Sequence, residues 1–259
     1  MFRNVPRVVY SKNQIVNVVC QLRFPTILSI SAKQPDEFQD AIRHAFPRYE
    51  TRRERPAPKL TNRNGVVTAE KQEEILNHCF TAASGAWQIN LTNSFIALSA
   101  PQYTDWETFA RQLDWVVAEF SRVYQPAWFE RVGLRYINAF SKEELGLQDR
   151  RWSELLQPAF VGLMDEEDVQ DGDFLRCTQD AELKARGGCR VKLHAGPGMI
   201  RRKGTQEQSP RFILDLDVYM QGQIPPAHLT GALQTVHLNA DNVFRNAITD
   251  ELHDAMEPR

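Results

Sequence analysis

Short stretches of alternating apolar and polar residues recur along the chain and predict β-strands. In the segment 16–24 every second residue is apolar, with Gln21 and Arg23 on the opposite side, and Pro25 ends the run. The segments 129–138 and 211–220 alternate in the same way. Shorter strands are predicted around residues 79–80, 87–91, 95–99, 181–185 and 189–194, with turns at Asn64-Gly65, Ser84-Gly85 and Gly187-Gly188.

Helical spacing of apolar residues predicts two long helices and two short ones. The first long helix begins at Thr104, where Thr104 and Glu107 have the spacing of a capping box, and Pro126 ends it. Its apolar stripe comprises Trp106, Phe109, Leu113, Val116, Val117, Phe120, Val123 and Tyr124. The last long helix follows Pro225-Pro226 and runs from about residue 229 to 248. Short helices are predicted between Pro35 and Pro47 and over residues 152–160.

The order of these elements is the same in the two halves of the chain: strand, helix, strands, long helix. When Cys20 is aligned with Val132, apolar residues match and Arg23 falls on Arg135. We therefore predict an α+β protein of two similar halves, 1–126 and 127–259. The halves would join edge to edge into a mostly antiparallel sheet with the long helices packed on one face, giving one continuous structural domain.

Composition and charge exclude several classes of protein. Of the 259 residues, 42% are hydrophobic and 25% charged, which excludes a mainly disordered chain. The 31 Lys and Arg residues nearly balance the 33 Asp and Glu residues, so no general field draws the chain to nucleic acid or an anionic membrane. No stretch is long and apolar enough to span a membrane, and the four cysteines form no CxxC pair. We expect a cytoplasmic protein with reduced, mostly buried cysteines.

The segment 130–138, Glu-Arg-Val-Gly-Leu-Arg-Tyr-Ile-Asn, resembles a sporadically distributed, largely uncharacterised family of bacterial proteins of about this length. The resemblance extends over nearly the whole chain. Supporting segments are residues 19–25, the helix start Tyr103-x-x-Trp106-x-x-Phe109, residues 214–217 and the closing helix with His237, Phe244, Ile248 and Thr249. The resemblance implies a shared fold and brings no established activity, cofactor or catalytic residue.

Asp215 and Asp217 are two residues apart on a predicted strand, so both carboxylates face the same side. A divalent metal or a proton-transfer pair would need such a geometry. Alternatively, the two aspartates pair across strands with arginines, and Arg135 is the natural partner because a guanidinium forks onto a carboxylate. The second arrangement is the favoured interpretation.

Two other acidic or histidine-containing patterns are weaker. His237 and Asp241 lie four apart on the last helix and could share a metal, but zinc requires three or four protein ligands. We favour a histidine at the edge of the apolar stripe that is hydrogen-bonded to a neighbour. The acidic stretch 165–173 fails as a calcium loop, because Val169 falls where the EF-hand requires an oxygen ligand and Thr178 falls where it requires a glutamate. We therefore interpret the stretch as a solvated loop.

Basic residues cluster in two predicted loops. They are Arg48, Arg52, Arg53, Arg55, Lys59 and Arg63 in the first, and Arg201, Arg202 and Lys203 in the second. Glu50 and Glu54 interrupt the first cluster and no aromatic stacking motif accompanies either, so solvated loops are favoured over a nucleic-acid site.

These patterns predict a non-catalytic protein-interaction or regulatory module that uses no cofactor and no metal. Its partner would be another protein, for example an acyl carrier, a toxin or another component of a defence system, or a second copy of the chain. The surface of the sheet that the helices leave uncovered would receive it, with Arg23, Arg135, Asp215 and Asp217 as the polar binding residues. The alternatives are a metal-dependent enzyme acting on a phosphorylated or nucleic-acid substrate through Asp215 and Asp217, and a nucleic-acid-binding protein.

Overall fold

The structure is a computed structural model that describes residues 2–54, 59–63, 66–70, 74–201 and 208–259. The strands are β1 (Ile15–Arg23), β2 (Arg48–Glu54), β3 (Lys59–Arg63), β4 (Val66–Glu70), β5 (Ile75–Thr81), β6 (Gln88–Leu91), β7 (Phe95–Ala100), β8 (Phe129–Phe140), β9 (Gln179–Lys184), β10 (Arg190–Arg201) and β11 (Gln208–Ile224). The helices are α1 (Leu28–Ala32), α2 (Asp36–Ile42), α3 (Trp106–Tyr124), α4 (Lys142–Leu145), α5 (Trp152–Leu155), α6 (Pro158–Val161), α7 (Leu229–Arg245) and α8 (Asp250–Ala255). Short 3-10 turns lie at Gly162–Asp165, Asp171–Asp173, Arg186–Gly188 and Pro226–His228.

Within the described residues, nine strands form one antiparallel sheet in the order β2-β5-β6-β7-β1-β8-β11-β10-β9. The central strands β1 and β8 pair from Ile15 opposite Asn138 to Arg23 opposite Arg131. β3 and β4 form a separate antiparallel pair, and the predicted Asn64-Gly65 turn between them lies outside the described residues. The prediction of a mixed helix and strand protein with an antiparallel sheet is confirmed.

The two long helices, α3 and α7, cover one face of the sheet. On β1, Val18, Cys20 and Leu22 are at most 1% exposed and face these helices. The ring of Phe24 packs on Phe120 of α3 with centroids 4.9 Å apart, and Val236 of α7 is fully buried in the same core. Each fully buried aliphatic or aromatic side chain contributes roughly 1.5–3 kcal/mol, so this layer holds the helices on the sheet.

The ends of the helices differ from the sequence prediction in three places. The N-cap of α3 is Asp105, whose carboxylate accepts a hydrogen bond from the Thr108 backbone N–H at 2.7 Å, so the capping box at Thr104 is wrong by one residue. The helix predicted over residues 152–160 is interrupted after Leu155 and forms α5 and α6. The last long helix ends at Arg245, and the additional helix α8 follows it.

Residues 48–54, part of the predicted basic loop, form the edge strand β2, so the loop prediction is wrong there. All seven residues are exposed, and β2 pairs on one side only, with β5. An edge strand that buries neither face carries no alternation of apolar residues, and charged side chains protect its free edge. This explains why the hydrophobic pattern did not reveal it.

All four cysteines are free, and three of them are buried, in agreement with the prediction. Over the described part of the chain, no helix combines the length and the apolar character that crossing a membrane requires.

Candidate functional site

The surface of the sheet opposite α3 and α7 is polar, and we call it the open face. At its centre it carries Arg23 of β1, Arg131 and Arg135 of β8, and Asp215 and Asp217 of β11. These residues alternate with the core residues of the same strands, which directs their side chains away from the helices. In the register of β8 with β11, Asp217 lies opposite Arg135 and Asp215 lies opposite Ile137.

Each of the two aspartates on the open face is paired with an arginine. The Nε and Nη2 atoms of Arg135 donate to the two carboxylate oxygens of Asp215 at 2.8 and 2.5 Å. The Nη2 atom of Arg131 donates to both oxygens of Asp217 at 2.6 and 2.8 Å. The hydrogen bond with Asp215 raises the pKa of Arg135 further above its usual value. The charges of Arg131, Arg135, Asp215 and Asp217 are therefore neutralised within the protein.

Gly133 explains how Arg131 reaches Asp217. Arg131 lies opposite Gln221 in the register, so its side chain must extend along its own strand to reach the row of Arg135. A Cβ atom on Gly133 would lie 2.1 Å from the Nη1 atom of Arg131, which shows that the guanidinium occupies the space above this glycine. There it also stacks over the Tyr219 ring, 4.5 Å from its centroid.

The structure brings together three of the four predicted binding residues. Arg135, Asp215 and Asp217 line one groove, whereas the exposed Arg23 lies on β1 opposite Arg131, outside that groove. The described residues contain no group of three or more histidine, cysteine or acidic side chains placed to hold a metal ion. The metal-dependent alternative therefore draws no support from the geometry of Asp215 and Asp217, whose oxygens already accept hydrogen bonds from arginines.

The groove around Arg135, Asp215 and Asp217 has a volume of about 280 Å³, and we call it the charged groove. Its other lining residues are Asp180, Lys192, Leu193 and His194. His194 Nδ1 lies 2.8 Å from a carboxylate oxygen of Asp180. Positive and negative side chains are thus interleaved across β9, β10, β11 and β8.

A second groove, of about 380 Å³, lies on the open face of the other half of the sheet. We call it the amide groove, because its walls include Asn17, Gln21, Asn77, Gln88 and Asn90. The Asn77 side-chain N–H group donates to Glu54 at 2.6 Å. The side-chain oxygens of Asn17 and Asn77 are buried, and no donor in the described part of the chain reaches them. A buried carbonyl oxygen without a donor is costly, so these two atoms favour a water molecule or a bound group that carries N–H or O–H donors.

Sequence reasoning did not select the amide groove. The signal was present in β1, where Asn17 and Gln21 alternate with buried apolar residues, and in β6, where Gln88 and Asn90 do the same. Uncharged amides carry no specific chemical signature. They become informative only when the order of the strands places them side by side.

His237 and Asp241 line a pocket on the helix side of the sheet, which we call the interior pocket. The His237 side chain is 6% exposed, and its Nδ1 atom lies 2.9 Å from the Tyr136 hydroxyl. The Trp106 ring stacks on the imidazole with centroids 4.1 Å apart. Burial, with a smaller effect of the positive charge of Arg7, lowers the pKa of His237 to about 3. The imidazole is therefore neutral at physiological pH.

Asp241 lies one helical turn beyond His237, and its Oδ2 atom is 3.5 Å from His237 Nε2. Burial raises the pKa of Asp241 to about 6, although Arg7 opposes the shift. The guanidinium of Arg7 forms a forked ion pair with Glu107, in which one hydrogen bond measures 2.8 Å, and its Nε atom stands 3.9 Å from Asp241 Oδ2. The hydrogen bond from Arg7 lowers the pKa of Glu107 to about 2.

Other patterns singled out in the sequence have structural partners. In the acidic stretch 165–173, Asp171 pairs with Lys142 at 2.5 Å and accepts from the Trp152 backbone N–H at 3.1 Å, so this part of the loop anchors α5. Arg52 pairs with Glu50, and Arg53 lies 3.8 Å from Glu74. Arg55, Arg202 and Lys203 lie outside the described residues.

No protein-family model matches this chain, and no curated protein matches it. The family suggested by the segment 130–138 therefore stays a prediction.

Proposed function

We propose that the protein is a non-catalytic interaction module that binds a partner protein on its open face. Arg23, Arg135, Asp215 and Asp217 would serve as the polar residues that select the partner. The observation that carries the proposal is the open face itself, which combines two grooves, neutralised ion pairs at its centre and buried carbonyl oxygens without donors. Protein interfaces use such arrangements of mixed charge and hydrogen-bonding groups to define register and exclude wrong partners.

The distribution of charge on the open face favours a protein over a nucleic acid. A phosphate backbone requires a surface that is predominantly basic. The charged groove instead carries Asp180, Asp215 and Asp217 against Arg135 and Lys192. A partner surface that also bears both signs satisfies this pattern better than a polyanion does.

The amide groove favours a partner with hydrogen-bond donors. Asn17 and Asn77 offer unpaired carbonyl oxygens, and neither is charged. Backbone N–H groups or side-chain amides of a polypeptide inserted into the groove would satisfy them. This requirement is the same for a different protein and for a second copy of this chain.

The metal-dependent enzyme remains an alternative proposal with a distinct requirement. A divalent cation at Asp215 and Asp217 would have to displace Arg135 and Arg131 from the carboxylates and recruit at least one further oxygen or nitrogen ligand. Saturable binding of Mg²⁺ or Mn²⁺ that is lost in Asp217→Asn would favour it over the interaction module.

We also propose that the two halves share one structural plan. In each half the first strand lies at the centre of the sheet beside the last strand of that half, as β1 lies beside β7 and β8 beside β11. Gln21 and Gly133, which are equivalent in the sequence alignment of the halves, are directly opposite each other in the register. A cytoplasmic location is likewise a proposal, supported by four cysteines that are all free.

The test is the mass of the intact complex that the tagged protein forms in extract of its source cells. Arg135→Glu reverses a half-exposed charge in the charged groove. Arg122→Glu, on the solvent-facing side of α3, is the matched control, because Arg122 is also exposed and ion-paired. We expect the wild type and Arg122→Glu to carry the same partner, or to form the same oligomer, at fixed stoichiometry, and Arg135→Glu to lose it.

Two outcomes would contradict the proposal. One is an Arg135→Glu protein that keeps the same partner at the same stoichiometry. The other is a wild-type protein that stays monomeric and without a bound macromolecule at micromolar concentration.

A further inference from the structure

The interior pocket is a small cavity of about 70 Å³ that the open face does not share. It lies between the N-terminal segment, the start of α3, β8 and α7. Its apolar wall includes Ile15, Leu216, Ala240, Phe244 and Met256, and the tyrosines Tyr10, Tyr103 and Tyr136 complete it. A water molecule needs about 10–15 Å³ of such volume, so the pocket has room for a few waters or a ligand of about three to five heavy atoms.

Two buried polar atoms in this pocket have no hydrogen-bond partner among the residues that the structure describes. They are His237 Nε2 and Asp241 Oδ2, and they lie 3.5 Å apart. A single nitrogen atom can lie at about 2.8 Å from both of them. When His237 Nδ1–H donates to Tyr136, whose hydroxyl in turn interacts with that of Tyr103, the Nε2 atom is a hydrogen-bond acceptor. Both unpaired atoms then accept hydrogen bonds.

The charge around the pocket is negative. The charged residues that line it are Arg7, Asp105 and Asp241, which sum to one negative charge. Arg7 binds Glu107 just outside, and its Nε atom stands 3.9 Å from Asp241 Oδ2. His237 adds no positive charge because burial keeps it neutral. An anion would therefore be repelled, whereas a cation would offset the carboxylate of Asp241 and contact the faces of the tyrosine rings.

We propose that the interior pocket binds a small primary alkylammonium ion, whose N–H groups donate to His237 Nε2 and Asp241 Oδ2 and whose alkyl chain packs on the apolar wall. Primary amines fit the pair of acceptors because they carry several donors on one nitrogen. Quaternary ammonium ions carry no N–H group and leave both acceptors unpaired. The site is separate from the open face and does not depend on the proposed interaction with a partner.

The proposal is tested by ligand-observed NMR titration of the full-length protein at pH 7.5 and constant ionic strength. The probe is n-propylammonium, and the matched probes are n-propanol, propionate and tetramethylammonium. We expect saturable binding of n-propylammonium and at least tenfold weaker binding of the other three. Absence of saturable binding, or equal binding of n-propanol, would overturn the proposal.

Three variants locate the binding within the molecule. Asp241→Asn removes the charged acceptor and should weaken n-propylammonium binding at least tenfold. Asp254→Asn changes an exposed carboxylate on α8 and should leave binding within twofold of the wild type. Arg135→Glu should also leave binding unchanged, because it alters only the open face. Equal binding by Asp241→Asn and the wild type would contradict the site.

A further variant keeps the test informative if Asp241→Asn fails to fold. Glu107 is 58% exposed, so Glu107→Gln should fold normally. It weakens the hold of Glu107 on Arg7, whose Nε atom already stands 3.9 Å from Asp241 Oδ2. Arg7 can then move closer to Asp241 and compete with the ammonium ion. We expect binding to weaken at least threefold, and unchanged binding would show that the charge of the pocket does not attract the ligand.

Discussion

Gly133 determines how Arg131 is placed on the open face. We expect Gly133→Ala to lower the free energy of unfolding by about 1–2 kcal/mol, because the new Cβ displaces the guanidinium from Asp217 and Tyr219. Urea denaturation of the purified variant measures the change.

The control for this prediction is the same substitution without the arginine. In an Arg131→Ala background, Gly133→Ala displaces no guanidinium and replaces a glycine in a strand, so it should cost less than in the wild type or be stabilising. Equal destabilisation in both backgrounds would mean that the cost arises from the backbone and not from the displaced guanidinium.

His237 and Asp241 exchange a proton when the protein unfolds. Their pKa values are about 3 and about 6 in the folded protein, whereas ordinary values are near 6.5 for histidine and 3.9 for aspartate. Between about pH 4 and 6, the folded pair holds its proton on Asp241 and the unfolded pair holds it on His237. Both states bind one proton, so the pair adds little pH dependence to the stability in this range.

Asp241→Asn should reveal how His237 makes the stability depend on pH, an effect that Asp241 cancels in the wild type. A histidine whose pKa is lowered by folding stabilises the protein above about pH 6.5, and this contribution is lost as the pH falls toward 3. Between pH 6 and 4 the variant should lose about 2–3 kcal/mol relative to the wild type. Chemical denaturation at a series of pH values tests this, with Asp254→Asn as the control. Parallel pH profiles for Asp241→Asn and the wild type would refute it.

At the residue scale, the sequence predicted the environment of a side chain better than it predicted the residue to which that side chain binds. The helical spacing of His237 predicted a histidine at the edge of the apolar stripe with a hydrogen bond to a neighbour, and the structure shows that bond. The neighbour, Tyr136, lies on β8, 101 residues before His237 of α7, and could not be identified from local periodicity. Likewise, Arg135 was a predicted partner for Asp215 or Asp217. The register places Arg135 opposite Asp217, but Arg131 binds Asp217 and Arg135 binds the diagonal neighbour Asp215.

The start of α3 provides a test at the scale of the element. Asp105 accepts hydrogen bonds from the backbone N–H and the hydroxyl of Thr108, at 2.7 and 3.0 Å. Asp105→Ala should therefore lower the free energy of unfolding by about 1 kcal/mol, and Thr104→Ala by less than half as much. Thermal and urea denaturation of the two variants compare them. A larger loss of stability from Thr104→Ala than from Asp105→Ala would support Thr104 as the N-cap, as the sequence predicted.

Elements with a one-sided apolar pattern were predictable, and elements without one were not. β1, β8 and the body of α3 lie within a residue or two of their predicted bounds, because each buries alternate or helically spaced residues in the core. β2 contributes no buried residue and was missed. The N-cap was misplaced because Thr104 and Asp105 are both capable N-caps, and the structure uses the carboxylate of Asp105, which accepts from the Thr108 backbone N–H, while Glu107 pairs with Arg7.

At the scale of the whole molecule, the predicted antiparallel sheet is present, and β1 and β8 pair at its centre, while the division into two similar halves stays a prediction. The order of the outer strands was not predictable, since several antiparallel arrangements bury the same residues. The two grooves of the open face depend on that order. In the amide groove, for example, Asn17, Gln88 and Asn77 come from three different strands, and the alternation of apolar residues does not predict which strands are neighbours.

The contacts between the halves predict that the protein unfolds as one cooperative unit. One buried cluster contains core residues from both halves, and Trp106 of the first half stacks on His237 of the second. Separation of the two halves would expose the paired edges of β1 and β8 together with their apolar face. We therefore expect no stable intermediate in which one half is folded and the other is unfolded.

Hydrogen exchange of the full-length protein in low concentrations of denaturant tests this cooperativity. Amides of β1, β7, β8 and β11 should converge on the same free energy of opening as denaturant is added, because all four strands lose protection only in global unfolding. The edge strands β2 and β9 pair on one side and should exchange earlier through local opening. A shared core cannot release one half without exposing the apolar face of the other. If the amides of β1 and β7 converged on one free energy of opening, and those of β8 and β11 on another that is lower by more than about 2 kcal/mol, the protein would consist of two separately folding domains.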